Sequence, residues 1–230
     1  MPYLLAVVAA LLVGAGYLLG WRRGRGRESA LKETLDERDQ RLKLVEHELL
    51  RNSSLDPVTG LHTQQPFQEF LEREWHRACR LRHYVSVIMI EADHFRAFNE
   101  RQGKPAGDAC LKLVADTMKA AVHRPGDILA RYGGPGKFGV VLGTTPAEGA
   151  MIVAERIRAG VEQLRQPNPA STSGPIVTVS LGVAAVLPDR TAAWQDIDLI
   201  AAAERALTQA KETGRNTVVL DQPTDAGPVS

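Results

Sequence analysis

The chain has 230 residues, room for one ordinary domain plus attachments. Its 28 Lys and Arg nearly balance 27 Asp and Glu, for a formal charge of +1, so no whole-chain field draws it to nucleic acid or acidic substrates. With 44% hydrophobic residues it is not a disordered polymer. Its two cysteines, Cys79 and Cys110, lie far apart in sequence, which fits buried thiols in a reducing compartment better than a disulfide framework or a metal site.

The N-terminus opens on "YLLAVVAALLVGAGYLLG", Tyr3–Gly20, 18 residues without a charge. That is near the short limit for crossing a bilayer. Nothing basic precedes it, unlike a secretory signal, and Arg22, Arg23, Arg25 and Arg27 follow at once. Residues 1–21 are therefore expected to form one transmembrane helix, held in the membrane through residues 3–20, with Trp21 at the interface and the arginines on the cytoplasmic side. A buried globular helix is the other reading, but the stretch has no polar face. Residues 22–54 are expected to form a basic juxtamembrane segment and a linker helix. Within Glu28–Asn52, Leu31, Leu35, Leu42, Val45 and Leu49 alternate steps of three and four, interrupted by Arg38. This is a short coiled-coil seam suited to a parallel homodimer; the alternative is an amphipathic helix lying on its own domain.

Residues 55–221 read as the main domain. "SSLDPVTGL" (Ser53–Leu61) breaks the linker helix with Pro and Gly. Pro66–His83 reads as a helix, and "YVSVIMI" (Tyr84–Ile90) as a buried strand by its β-branched content. Asp108–His123 is a helix with Leu111, Val114, Ala115 and Met118 on one face. Asp127–Tyr132 and Phe138–Leu142 form a hairpin across Gly133-Gly134-Pro135-Gly136-Lys137, which is turn chemistry. A helix over Pro146–Arg165, a Pro/Ser-rich loop over Gln166–Gly174, a strand over Ile176–Val186, a helix over Trp194–Thr213 and a last strand over Thr217–Leu220 complete it. Residues 222–230 are expected to fray. Helices alternate with strands, and the hairpin forces an antiparallel pair. The expected fold class is α/β (α+β), a mixed central sheet flanked by helices.

Three groups of residues carry chemistry. Glu91 and Asp93 leave a strand on the same face, a common way to hold Mg²⁺ with substrate phosphates. Asn99 and Asp108 flank a Gly-rich turn, and an Asn with a carboxylate can pair with a guanine edge; the plainer reading is loop capping, with Asp108 as an N-cap. Arg124 and Asp127 form an R-x-x-D pattern, which taken alone reads as a surface ion pair in a tight turn. The hairpin tip itself carries no carboxylate. His62 and His76 read as solvated, Trp75 and Phe95 as packing, and His94 as a surface residue or a neighbour of the site.

The order of "DPVTGL" (Asp56–Leu61), "IEADHFRAFNERQGKPAGD" (Ile90–Asp108), "ARYGG" (Ala130–Gly134), "VTVSLGVA" (Val177–Ala184) and "AAAERALTQAKETGRN" (Ala201–Asn216) resembles the GGDEF family, the diguanylate cyclases. The resemblance implies a fold like the palm of nucleotide polymerases. It also implies a bacterial inner-membrane protein with its domain in the cytoplasm. Active members condense two GTP into cyclic di-GMP with two Mg²⁺. The family's metal carboxylates match Glu91, where Asp is usual, and the third residue of the tip, where Asp or Glu is usual. Here the tip reads GGPGKF, one residue longer than the pattern, with Lys137 adding positive charge. The resemblance therefore implies a degenerate member with no catalytic residues, no metal ligands and no cofactor, Mg²⁺ entering only if residual cyclase activity survives. Asn99, Asp108, Lys211 and Arg215 match the family's nucleotide-contacting positions, implying a residual GTP pocket. Arg124, Asp127 and Arg156 match the inhibitory site for cyclic di-GMP. The expected function is a cyclic di-GMP receptor that acts through an unidentified protein partner and binds no nucleic acid. The alternatives are a slow cyclase and a scaffold that binds no nucleotide.

Overall fold

The computed structural model describes residues 54–188 and 194–221, and two single helical positions, Arg38 and Arg41. The expected membrane helix, the heptad leucines and the C-terminal tail lie outside the described residues. In chain order the elements are α1 (Gln64–Leu81), β1 (Val85–Ala92), α2 (Phe95–Gln102), α3 (Lys104–Ala121), β2 (Asp127–Arg131), β3 (Lys137–Gly143), α4 (Ala147–Gln163), β4 (Val179–Val186), α5 (Asp196–Glu212) and β5 (Val218–Asp221).

The five strands form one sheet in the order β2-β3-β1-β4-β5. Three pairs are antiparallel and β4–β5 is parallel, so the sheet is mixed, as the hairpin required. Val85 pairs with Gly143 and Val186, and Glu91 with Lys137 and Ser180. This register defines two ends: β1 starts at one and leaves Glu91 at the other. β1 is apolar on both faces because helices cover both. Ile88, Ile90 and Ala92 meet Phe95, Leu111, Val114, Met118 and Ile157 of α2, α3 and α4. Val85, Val87 and Met89 meet Phe67, Leu71 and Trp75 of α1 and Leu199 and Leu207 of α5.

The differences from the expected elements have local causes. α2 has no counterpart among the expected elements. It is a short helix entered through His94 in the left-handed region and ended at Gly103, whose φ is +83°. Pro105 stands in the first turn of α3, where its fixed φ and missing N–H cost nothing, so α3 begins at Lys104 and not at Asp108. Asp108 is therefore a residue of the helix body and not an N-cap. β4 begins at Val179, three residues later than expected, because Ile176 bridges Pro167 and the Val177 N–H donates to the Gln166 carbonyl.

"DPVTGL" closes on itself. One Asp56 carboxylate oxygen accepts from the Thr59 N–H (2.8 Å) and hydroxyl (2.6 Å), and the Asp56 carbonyl accepts from Gly60. His62 then lies alongside β2 by bridging Ala130, which covers part of that edge strand.

Candidate nucleotide sites at the two ends of the sheet

At the end where β1 finishes, Asp93 is buried and committed. Its oxygens accept from Thr178 Oγ1 (2.7 Å), Ser180 Oγ (2.7 Å) and the Asn216 N–H (3.2 Å). These bonds tie the β1 exit to β4 and to the turn after α5. That turn places Arg215 and Asn216 at φ +65° and +45°, unusual for residues with a Cβ. A second anchor holds it: Asn216 Nδ2 donates to Glu162 (2.8 Å), and Arg158 bonds both Glu162 and Asn216 Oδ1. The Asn216 and Arg158 bonds keep the Glu162 carboxyl below its ordinary pKa. The sequence reading did not find this network, because its members lie far apart in the chain. The one local cue was Gly-Arg-Asn, a sequence that tolerates left-handed backbone.

The tip is a rigid turn. The Lys137 N–H donates to the Gly134 carbonyl (3.3 Å), closing a four-residue turn with Pro135 at its second position and Gly136, φ +79°, at its third. That is the type II pattern, which calls for these two residue types. Gly136 lies so close to the Phe95 ring that an added Cβ would meet it at 3.0 Å. Lys137 was expected within the turn but is the first residue of β3, paired in register with Glu91.

Two ion pairs fill the space at this end. Lys211 Nζ lies 2.8 Å from Glu91 Oε1. Lys137 Nζ bonds both oxygens of Glu204, at 2.8 and 2.7 Å. Glu204 also went unnoticed in the sequence, being 67 residues from its partner. The residues present do not fit Mg²⁺. The Glu91 and Glu204 carboxylates are already met by ammonium groups, and a cation there would face Lys137 and Lys211. Among the described residues no group of three or more His, Cys, Asp or Glu is placed to hold a metal ion.

Asn99 of α2 meets α3 at Gly107, one residue before Asp108. Gly107 lets the two helices approach: a Cβ there would sit 1.7 Å from Asn99 Oδ1. That oxygen is buried and has no hydrogen-bond partner among the described residues. Burial lowers the pKa of Arg131, opposed by the charges of Asp56 and Asp108. Arg131 lies over the Phe138 ring at 4.8 Å and donates to the Lys137 carbonyl.

The opposite end holds the R-x-x-D motif. The Asp127 N–H donates to the Arg124 carbonyl (3.1 Å) across Pro125-Gly126, so the spacing is that of one turn. The turn puts both side chains at one mouth. Arg124, Asp127 and Arg156 line a single cavity of about 330 Å³, with His123, Thr145 and Ile152. Both arginines are exposed and Asp127 is half-buried. The Asp127 carboxylate accepts from the Gly143 N–H (3.3 Å). Burial pushes its pKa above the ordinary value. The Gly143 bond and the charges of Arg124 and His123 oppose that rise, and Glu74 adds to it. The structure thus brings together the three residues assigned to this site; separately, Glu91 pairs with Lys211 and Asn99 lies against α3 beside Asp108. Arg215 is half-buried in the strained turn.

The fold and these two constellations define a nucleotide-cyclase-like domain. The family described as "Diguanylate cyclase, GGDEF domain" matches residues 53–217, and the chain belongs to it. It is 37% identical over 165 residues to the "Probable diguanylate cyclase DgcT" of Escherichia coli K12. That match covers 72% of this chain and 35% of DgcT, so the chain spans about a third of that relative's length. Among solved structures it is similar to the coiled coil and GGDEF domain of DgcB from Caulobacter crescentus in complex with c-di-GMP. There the identity is 26% and the TM-score 0.65, covering 84% of this chain and 98% of that one. It is also similar to the diguanylate cyclase SiaD in complex with its activator SiaC from Pseudomonas aeruginosa. The identity is 26% and the TM-score 0.63, over 87% and 74% of the two chains.

Proposed function

We propose that this protein is a membrane-anchored receptor for cyclic di-GMP that does not synthesise it. The observation that carries the reading is the contrast between the two ends of the sheet. At one, Arg124, Asp127 and Arg156 converge on an open cavity. At the other, the carboxylates are neutralised by Lys137 and Lys211. Two guanidinium forks suit phosphates or the guanine Hoogsteen edge, and a carboxylate accepts from guanine N1 and N2. DgcB, similar over most of this chain, was solved with c-di-GMP. The 18-residue uncharged stretch followed by four arginines supports an anchor in the bacterial inner membrane with the domain in the cytoplasm, and the heptad seam supports a homodimer. Among the described residues no helix is long and apolar enough to cross a membrane. Signal output through a protein partner is consistent with the SiaD–SiaC complex.

A second reading, a slow diguanylate cyclase, is favoured by the unpartnered Asn99 Oδ1 and by relatives that bear that name. In that reading Asn99, Asp108, Lys211 and Arg215 hold GTP. Calorimetric titration with cyclic di-GMP and with GTP, alongside a GTP-turnover assay with Mg²⁺, separates the two. Tight cyclic di-GMP binding lost in Arg124→Ala and Arg156→Ala, with no product from GTP, supports the receptor. Product formation from GTP supports the cyclase. Binding of neither nucleotide leaves a scaffold.

A further inference from the structure

The sheet end at which β1 begins gathers more than the ligand cavity. α1 finishes there: its Phe67 lies against Gly139 in mid-strand, and its Glu74 against Gly143 at the end of β3. β4 finishes there, since Val186 pairs with Val85. α5 starts there, since its last turn reaches Glu91 at the other end. The topology therefore places Leu81, Tyr84, Leu187 and Ile197 at one end, exposed by 56, 42, 47 and 53%. That is half of the large exposed apolar side chains among the described residues. Arg73, Arg77 and Arg80 follow one face of α1 at helical spacing, and Arg82 caps the helix; all four are exposed. Of the acidic side chains nearby, Glu74 is buried and pairs with Arg77 at 3.5 Å, Asp198 is engaged in capping α5 and Asp221 pairs with Arg205. Glu72 is exposed and Asp196 is half-buried.

We propose that this end of the domain docks on an anionic lipid surface. Arginines interleaved with Leu, Ile and Tyr suit the headgroup boundary, where apolar side chains sink in and guanidinium groups meet lipid phosphates. A nucleic-acid face needs the cations but not the exposed Leu and Ile. A symmetric contact with a second copy would set arginines against arginines. The chain itself brings a bilayer within reach, and this step rests on the anchoring proposed above. The uncharged stretch ends at Gly20. The segment between it and Ser54 spans about 50 Å as the linker helix read above and up to roughly 110 Å if extended, against about 27 Å for the length of α1. Docking would fix which way the ligand cavity faces, because the cavity opens at the same end.

The test uses residues 54–230, which hold both hydrophobic clusters and the whole sheet and form a compact unit without the anchor. Vesicle flotation compares phosphatidylcholine alone with phosphatidylcholine containing phosphatidylglycerol at low and high salt. Binding to the anionic vesicles alone, weakened by salt, is expected. Reversing two cations in R80E/R82E is expected to lower the partition coefficient about thirtyfold or more. L81S/Y84S is expected to lower it at both salt concentrations, which keeps the test open if the charge reversal disturbs folding. K112E on α3 is expected to leave it within about twofold. The proposal is overturned by equal binding to both vesicle types or by no binding at low salt. Unchanged binding in both double variants, or retention on a DNA duplex or an acidic polypeptide but not on vesicles, overturns it too. The fragment lacks the anchor, so a negative result leaves the anchoring reading standing.

Discussion

Gly182 tests how the fold holds the tip end together. It lies mid-way along β4, and α5 crosses it with no room to spare. A Cβ on Gly182 would sit 2.1 Å from the Ala203 carbonyl oxygen and 2.1 Å from the Leu207 nitrogen. Both obstacles are backbone, so no rotamer change relieves the clash. Ordinary contact needs roughly 3.5 Å, so in Gly182→Ala α5 must retreat by an ångström or more. Overpacking of a tight core costs about 1–3 kcal/mol, and a backbone clash belongs at the upper end. For a domain of this size that is a fall in Tm of roughly 6–12 °C. The displacement has a second effect, because α5 carries Glu204 and Lys211. Their bonds to Lys137 and Glu91, all near 2.8 Å, do not survive such a shift. Thermal unfolding followed by circular dichroism reads the first effect, and the side-chain NMR signals of Lys137 and Lys211 read the second. A variant that melts within about 1 °C of the parent would refute the claim that β4 and α5 meet backbone to backbone.

Three further outcomes follow from the same geometry. Asp93→Asn keeps the shape but weakens three bonds to Thr178, Ser180 and Asn216; a loss of about 3 kcal/mol is expected by urea unfolding, with faster hydrogen exchange at Arg215 and Asn216. Burial raises the Asp127 pKa, so its carboxylate opposes folding as pH rises through the folded value, while its stabilising share is present only below the unfolded value. Asp127→Asn should therefore melt no lower than the parent at neutral pH yet lose cyclic di-GMP. In the parent, affinity should fall as the pH drops towards the raised Asp127 value, because a protonated carboxyl no longer accepts from both guanine donors. The Cys110 thiol, buried and pushed up to about 11, should resist iodoacetamide at pH 8 until the protein unfolds, unlike the half-buried Cys79; rapid labelling at Cys110 in the folded protein, read by peptide mass, would contradict its burial.

The sheet was legible because its strands are apolar runs punctuated by Gly and Pro. "YVSVIMI" and "FGVVL" need no partner to be recognised, and the hairpin between β2 and β3 announces its own antiparallel pairing. α2 was not legible. It has eight residues, too few for a periodicity to stand out, and its entry depends on His94 taking a left-handed conformation that sequence does not specify. The R-x-x-D cavity was half legible: the spacing picked out Arg124 and Asp127, while Arg156 came only from the resemblance to the family. Ile152 and Thr145, which line the same cavity, carry no chemistry that singles them out. The Lys137–Glu204 and Lys211–Glu91 pairs were hidden for a different reason. Which lysine meets which glutamate depends on how α5 lies across the sheet, and Gly182, not a charged residue, sets that placement.

Cyclic di-GMP is expected to sit at the R-x-x-D cavity and not at the tip. Calorimetric titration of cyclic di-GMP into the full chain, its Arg124→Ala variant and its Lys211→Ala variant tests this directly. Losing a guanidinium that grips phosphate or guanine should weaken binding by about 10–150-fold in Arg124→Ala, while Lys211→Ala binds like the parent. Equal loss in both variants, or loss in Lys211→Ala alone, would place the dinucleotide at the tip and contradict the reading.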